Sequence, residues 1–310
     1  MSDSPRGAPT GELRRALDWG KLAPLRLHAK SVADGVYAGA HRSRRRGAGI
    51  EFGGQRSYVP GDDLRFIDRH ALLRHGELLV RQFETETDRT LCLLVDATAS
   101  MSFRGDSAPA PKYAFAALIA AALTKIAVSA GDRVSLDWLG GERTAELATA
   151  GGREAFERVV GALETAQPGA DLRTDLGALE RAVARVERRA LRGASVVVLS
   201  DLLDLPDGAL DAISALGVRG KTLITLRVLD PVELSFPFTG PVHLRALEGE
   251  ARVETDAASA RPQYLAALEA QTRAWSERLV SRSGSLVRAS TADDPVKIVR
   301  NVLDALGGRA

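Results

Sequence analysis

The apolar positions along the chain follow two alternating patterns. Short, largely apolar runs, such as residues 91–95 and 195–199, are typical of strands buried on both faces of a sheet. Longer stretches whose apolar residues recur every three or four positions, such as residues 152–166, are typical of amphipathic helices. Strands that alternate with helices predict an α/β fold with a doubly wound, mostly parallel, Rossmann-type sheet.

This pattern gives a full set of predicted elements. The predicted strands span residues 78–86, 91–95, 133–139, 144–150, 195–199, 222–228 and 285–289, with an inserted β-hairpin formed by 242–247 and 251–254. The predicted helices span residues 11–28, 112–130, 152–166, 175–190, 207–216, 261–282 and 295–306. Gly140 and Gly141 predict a tight turn that makes 144–150 an edge strand.

The chain divides into three predicted parts. Residues 1–30, of which the first ten are rich in Ser, Pro and Gly, are expected to be a flexible leader and a short helix. Residues 31–88 are expected to be a small N-terminal module, in which dense Arg and Asp indicate an ion-paired network. Residues 89–310 are expected to be the α/β domain.

The composition bears on the cellular compartment of the protein but does not identify its function. The 310 residues are 45% hydrophobic and 26% charged with a formal net charge of +2, which is ordinary for a soluble globular protein. The single cysteine, Cys92, cannot form an internal disulfide, which fits a reducing compartment. We expect neither a signal peptide nor a membrane-spanning stretch, and therefore a cytoplasmic protein.

An arginine cluster between residues 42 and 46 has two interpretations. The four arginines among residues 41–46 could bind nucleic acid or a membrane surface, or could form a solvated loop that pairs with acids elsewhere. Because no aromatic stacking platform accompanies the cluster, no nucleic-acid partner is expected.

Oxygen donors follow two of the predicted central strands. Asp96, Thr98 and Ser100 come directly after residues 91–95, and Asp201 comes after the strand at 195–199. Ligands of open α/β sheets bind at the carboxyl ends of the strands. Carboxylate and hydroxyl oxygens suit Mg²⁺ or Mn²⁺ better than zinc or copper. Thr174 precedes a predicted helix, where its alternative role is to cap that helix.

The pattern D-x-T-x-S, with a later Thr and a later Asp, resembles the metal-ion-dependent adhesion site of von Willebrand factor A domains. The resemblance implies that Asp96 contacts Mg²⁺ largely through water and that the hydroxyls of Thr98, Ser100 and Thr174 are ligands. It implies that Asp201 mainly orients the groups and water molecules that contact the metal, instead of contacting the metal itself. It also implies that a carboxylate from a partner protein fills an open coordination position. Thr98 stands where Ser is usual. The alternative is a domain of this type whose metal site has decayed.

A second resemblance covers residues 32 to the C-terminus. The stretches at 47–68, 80–84, 200–203 and 230–238 are similar to an uncharacterised bacterial family with a von Willebrand factor A-like domain, commonly encoded beside MoxR-type AAA+ ATPases. Members usually have a Trp shortly after the Ile-Asp that here is Ile67-Asp68, and this chain lacks it. The resemblance implies a non-enzymatic adaptor that works with the ATPase and a client protein in remodelling or complex maturation.

Two classes of function stay open on the residues alone. The first is metal-dependent protein binding. The second is Mg²⁺-dependent hydrolysis of phosphate esters, which would need a positioned base and a cationic group beside the metal. Arg173 could supply the cation, but no complete catalytic set is present in the sequence, so protein binding is favoured.

Overall fold

The computed structural model of the chain describes residues 25–39, 51–57, 79–84, 89–169, 171–172, 175, 177–245, 247 and 252–307. The chain divides into two compact units. Gly39–Asp88 is the smaller unit, and Met1–Ala38 together with Arg89–Ala310 is the larger. Residues 1–24 of the predicted leader, the arginine cluster at 42–46 and residues 58–78 of the predicted ion-paired network lie outside the described residues, so these predictions stay open.

The smaller unit contains a two-stranded antiparallel ribbon. Its strands are β1 (Glu51–Ser57) and β2 (Leu79–Glu84). β2 was predicted from its alternation, whereas β1 was not, because its sequence EFGGQRS contains two glycines and little apolar alternation.

The larger unit alternates strands with helices, as predicted. Its strands are β3 (Thr90–Asp96), β4 (Arg133–Leu139), β5 (Leu147–Ala150), β6 (Ser195–Ser200), β7 (Thr222–Leu229), β8 (Pro241–Arg245), β9 (Arg252–Asp256) and β10 (Gly284–Ser290). Its α-helices are α1 (Leu25–Gly39), α2 (Lys112–Ser129), α3 (Gly152–Thr165), α4 (Ala178–Arg189), α5 (Ala209–Ser214), α6 (Pro231–Ser235), α7 (Ala257–Ser281) and α8 (Pro295–Gly307).

Six strands form one sheet in the order β10-β7-β6-β3-β4-β5. All neighbours are parallel except β4 and β5, which are antiparallel, so the predicted doubly wound, mostly parallel α/β sheet is confirmed. β8 and β9 pair separately as the predicted hairpin. The chain leaves β3 for β4 on one side and later returns to β6 on the other, so the sheet has its topological switch point between β3 and β6.

Each face of the sheet carries its own hydrophobic core. On β3, Leu91, Leu93 and Val95 pack into the core beneath α1, α2, α3 and α8, whereas Cys92 and Leu94 pack into the core beneath α4, α5 and α7. Burial on both faces explains why the strand is apolar at successive positions.

Helix α2 corrects the expectation that the chain has no apolar stretch long enough to span a membrane. By length and composition alone, Lys112–Ser129 is long and apolar enough to cross a bilayer. In the described part of the chain it is the one such helix, and 72% of it is buried within the fold. A core helix between a sheet and its neighbours has this same composition, so its apolar surface is explained by packing.

Two helices differ from the predictions. α1 spans Leu25–Gly39, beyond the predicted end at residue 28, and its buried residues Leu25, Ala29, Val32 and Val36 belong to the core on one face of the sheet. α6 is a five-residue helix that periodicity could not reveal. It forms because Asp230 and Glu233 make a reciprocal capping box around its first turn.

Candidate metal site

Asp96 is the last residue of the central strand β3, and its side chain is fully buried. The chain turns sharply after it, so that the carboxylate accepts hydrogen bonds from the turn. Asp96 Oδ1 accepts from the backbone N of Thr98 at 2.9 Å and from Thr98 Oγ1 at 2.8 Å. The turn therefore fixes the carboxylate and the Thr98 hydroxyl relative to one another.

Ser100 lies in the 3₁₀ turn that follows, and its side chain is also buried. Its Oγ lies 3.1 Å from Thr98 Oγ1. The structure thus brings together three of the five predicted site residues, Asp96, Thr98 and Ser100, in one chain of buried oxygen atoms.

Ser200 is a site residue that the sequence analysis missed. It ends β6, the parallel neighbour of β3, and its Oγ donates to Asp96 Oδ2 at 2.5 Å. The same Oγ accepts from the backbone N of Leu202 at 2.9 Å. A serine directly before the predicted Asp201 was visible in the sequence, but only strand pairing shows that it reaches Asp96.

Asp201 has different partners from Asp96. Its Oδ1 accepts from the backbone N of Leu203 at 2.9 Å, and its Oδ2 accepts from Nζ of Lys112 at 2.7 Å. Asp201 is nevertheless near enough for its negative charge to act on Asp96. The remaining predicted ligand, Thr174, lies outside the described residues, as does Arg173.

The protonation of Asp96 reflects this crowding. The pKa of Asp96 is raised to about 7, first because burial disfavours the charged form and next because of the negative charge of Asp201. Hydrogen bonds from Ser200 and Thr98 act in the opposite direction. A buried carboxylate beside a second one is a position at which positive charge would be stabilised.

Two glycine-bearing loops support the turn after β3. The backbone N of Gly169 donates to the carbonyl of Ala97 at 2.9 Å, and the backbone N of Gly141 donates to the carbonyl of Gly169 at 3.1 Å. Gly141 has φ +85°, and a Cβ placed there would lie 2.6 Å from Cβ of Ala97. Glycine is therefore required for these loops to approach the site.

The donor set fits a hard divalent cation. Asp96, Thr98 and Ser100 offer carboxylate and hydroxyl oxygens at the switch point of the sheet, and such oxygens suit Mg²⁺ or Mn²⁺. Among the described residues there is no group of three or more His, Cys, Asp or Glu that could hold a metal. A metal here would therefore depend on hydroxyl ligands.

Comparison with known proteins gives the family of the chain. A family described as "Protein of unknown function DUF58" matches residues 54–274. The chain belongs to the DUF58 family. The DUF58 chain is 32% identical over 245 residues to the uncharacterized protein Rv1480 of Mycobacterium tuberculosis (strain ATCC 25618 / H37Rv). The aligned part covers 77% of this chain and 75% of Rv1480. Membership of an uncharacterised family was predicted and is confirmed, whereas the pairing with MoxR-type ATPases stays a prediction.

Solved structures resemble the DUF58 chain at low sequence identity. An aerotolerance-related membrane protein from Bacteroides fragilis NCTC 9343 is 14% identical, with a TM-score of 0.44 over 71% of this chain and 99% of that one. The SpRpn10 VWA domain is 10% identical, with a TM-score of 0.38 over 69% of this chain and 94% of that one. Nothing about binding or location transfers at this level of similarity, and the cytoplasmic location of the DUF58 chain stays a prediction.

Proposed function

We propose that this chain is a metal-dependent protein-binding adaptor. The observation that carries the proposal is the convergence of the Asp96, Thr98 and Ser100 oxygens at the carboxyl end of the central strand. These residues would hold Mg²⁺ or Mn²⁺, together with Thr174 as the sequence pattern implies. When bound, the cation would supply positive charge and an open coordination position for a carboxylate of a client protein.

The protein itself contributes orientation and burial. Ser200 and the turn at Thr98 donate three hydrogen bonds that hold the Asp96 carboxylate in one orientation. The hydrogen bond between Lys112 and Asp201 holds the second carboxylate in place. A site preorganised in this way costs little rearrangement when a client binds.

Hydrolysis of phosphate esters is not favoured by this arrangement. A hydrolase needs a carboxylate or histidine placed to activate water. In the described part of the site, the carboxylates beyond Asp96 are Asp201 and Glu233, and both are ion-paired with Lys112.

The partner class that we propose is a MoxR-type AAA+ ATPase together with its client, on the resemblance given by the sequence.

The test is capture of a partner by the purified full chain as bait, with Mg²⁺ or with a chelator. We expect a partner that is recovered in Mg²⁺, lost in chelator and lost with Thr98→Val, since valine keeps the shape of threonine but lacks the hydroxyl. Thr98→Ser keeps the hydroxyl and should retain the partner. The captured protein is then purified and its binding is measured again with the same three baits.

Two results would contradict the proposal of a metal-dependent adaptor. Binding of the purified partner that is equal in Mg²⁺ and chelator, and equal for Thr98→Val, would remove the metal from the proposal. Turnover of a generic phosphate ester that is abolished by Asp96→Ala would favour the hydrolase instead.

A further inference from the structure

A buried lysine beside the site is not explained by ligation of a metal. Lys112 is the first residue of α2, and its side chain has no exposed surface. Its Nζ donates to Asp201 Oδ2 at 2.7 Å and to Glu233 Oε1 at 2.5 Å. A buried ammonium is tolerated when carboxylates pair with it, and Lys112 has two.

With the bond to Lys112, each oxygen of the Asp201 carboxylate accepts a hydrogen bond. One oxygen of this carboxylate faces the backbone N of Leu203 and the other faces the ammonium. Arg227 is a second buried cation nearby, but its Nε donates to the main-chain carbonyl of Asp201, at 3.1 Å. Among the described residues, Lys112 is therefore the cation in contact with the Asp201 carboxylate.

Glu233 keeps the ammonium in a fixed position. Glu233 Oε2 accepts from the backbone N of Asp230 at 2.8 Å within the capping box of α6. Asp230 Oδ2 in turn accepts from the backbone N of Gly105 at 2.8 Å, in the loop that leads into α2. The main-chain carbonyl of Glu233 accepts from the hydroxyl of Tyr264 at 2.8 Å. Both carboxylates that hold Lys112 are thus themselves anchored.

The charges favour an ionised lysine. Burial lowers the pKa of Lys112, but the negative charges of Asp201 and Glu233 outweigh burial, so its pKa is raised overall. The ammonium therefore supplies positive charge at the edge of the site in the absence of any metal.

We propose that Lys112 is an internal counter-ion of the metal site, which balances Asp201 before a cation binds and competes with that cation afterwards. The part about competition rests on the proposed function. Two like charges close to one another repel, so an ammonium held beside the site by Asp201 weakens cation binding while it stabilises the metal-free fold. Its loss should make the fold dependent on the metal.

The experiment compares thermal unfolding of the full chain with Mg²⁺ and with chelator, for the parent and for Lys112→Met. In chelator we expect a lower Tm for the variant, because two buried carboxylates lose their counter-ion. We expect Mg²⁺ to raise the Tm of the variant by about 2 °C more than that of the parent, which corresponds to about tenfold tighter binding. Lys125→Met makes the same substitution on the same helix, where the ammonium contacts the Phe156 ring and not the two carboxylates, and should show the same Mg²⁺ shift as the parent.

A second comparison does not depend on a metal. In chelator, Lys112→Met combined with Asp201→Asn should unfold at a higher temperature than Lys112→Met alone, because the uncompensated carboxylate is removed. If Lys112→Met does not fold in chelator, recovery of folding in the double variant gives the same support.

The outcomes separate this inference from the proposed function. No rescue by Asp201→Asn would overturn the counter-ion role. Rescue, but with a Mg²⁺ shift in Lys112→Met no larger than in the parent, would overturn the competition. Rescue without a Mg²⁺ shift in either protein would leave the counter-ion in place and contradict the metal-dependent adaptor.

Discussion

Asp96 is the residue at which strand geometry, burial and charge combine. It ends the central strand, it is fully buried, and it accepts hydrogen bonds from both Thr98 and Ser200. The turn that presents it is closed by Gly141, whose lack of a side chain allows the neighbouring loop to contact Ala97. The geometry of the site therefore depends on Gly141, although this residue has no side chain that could bind a ligand.

Gly141→Ala tests this close approach. We expect a loss of about 2–3 kcal/mol in the free energy of unfolding, from positive-φ strain together with the clash against Ala97. Gly131→Ala is the matched control, because Gly131 has φ +86° but nothing within 4 Å of the added Cβ, so the control should lose only about 1 kcal/mol. Urea unfolding measures both, and equal losses would contradict the close approach.

Among the elements, α1 packs into the larger unit although it precedes the smaller unit in the chain. Leu25, Ala29, Val32 and Val36 lie in the core on one face of the sheet. Near the other end of the fold, Arg300 on α8 donates to the carbonyl of Gly35 at 2.6 Å. These contacts make α1 an integral part of the larger unit.

Leu25→Ala tests the role of α1. Leu25 is fully buried, so we expect the substitution to lower the free energy of unfolding by about 2–5 kcal/mol. Leu27→Ala on the same helix is the control, because Leu27 is 47% exposed, and its loss should stay below about 1 kcal/mol. Urea unfolding that shows the same small change for both would mean that α1 is not packed in solution.

Strands and motifs that are defined by residues close together in the sequence could be predicted. Contacts between residues that are distant in the sequence could not. The strand at Arg133–Leu139 was predicted at its observed bounds, because its apolar residues alternate with other residues along RVSLDWL. Asp96, Thr98 and Ser100 could be grouped because they are adjacent in sequence. Lys112 and Ser200 could not be assigned to the site, because their contacts follow from which strands and helices are neighbours in space.

The topology of the whole molecule explains where the site lies. β3 and β6 are adjacent, and the connections that follow them leave in opposite directions, which opens a crevice at their carboxyl ends. Asp96 ends one of these strands, and Ser200 ends the other, with Asp201 directly after it. The described fold thus concentrates two carboxylates and three hydroxyls at the position where α/β sheets bind ligands.

Calorimetric titration of the full chain with Mg²⁺, and in parallel with Mn²⁺, tests the metal site most directly. We predict one site per chain in the parent, binding weakened at least about tenfold by Thr98→Val, and unchanged binding for the exposed Asp207→Ala. A titration in which Thr98→Val binds as tightly as the parent, or in which the parent binds neither ion, would contradict the account.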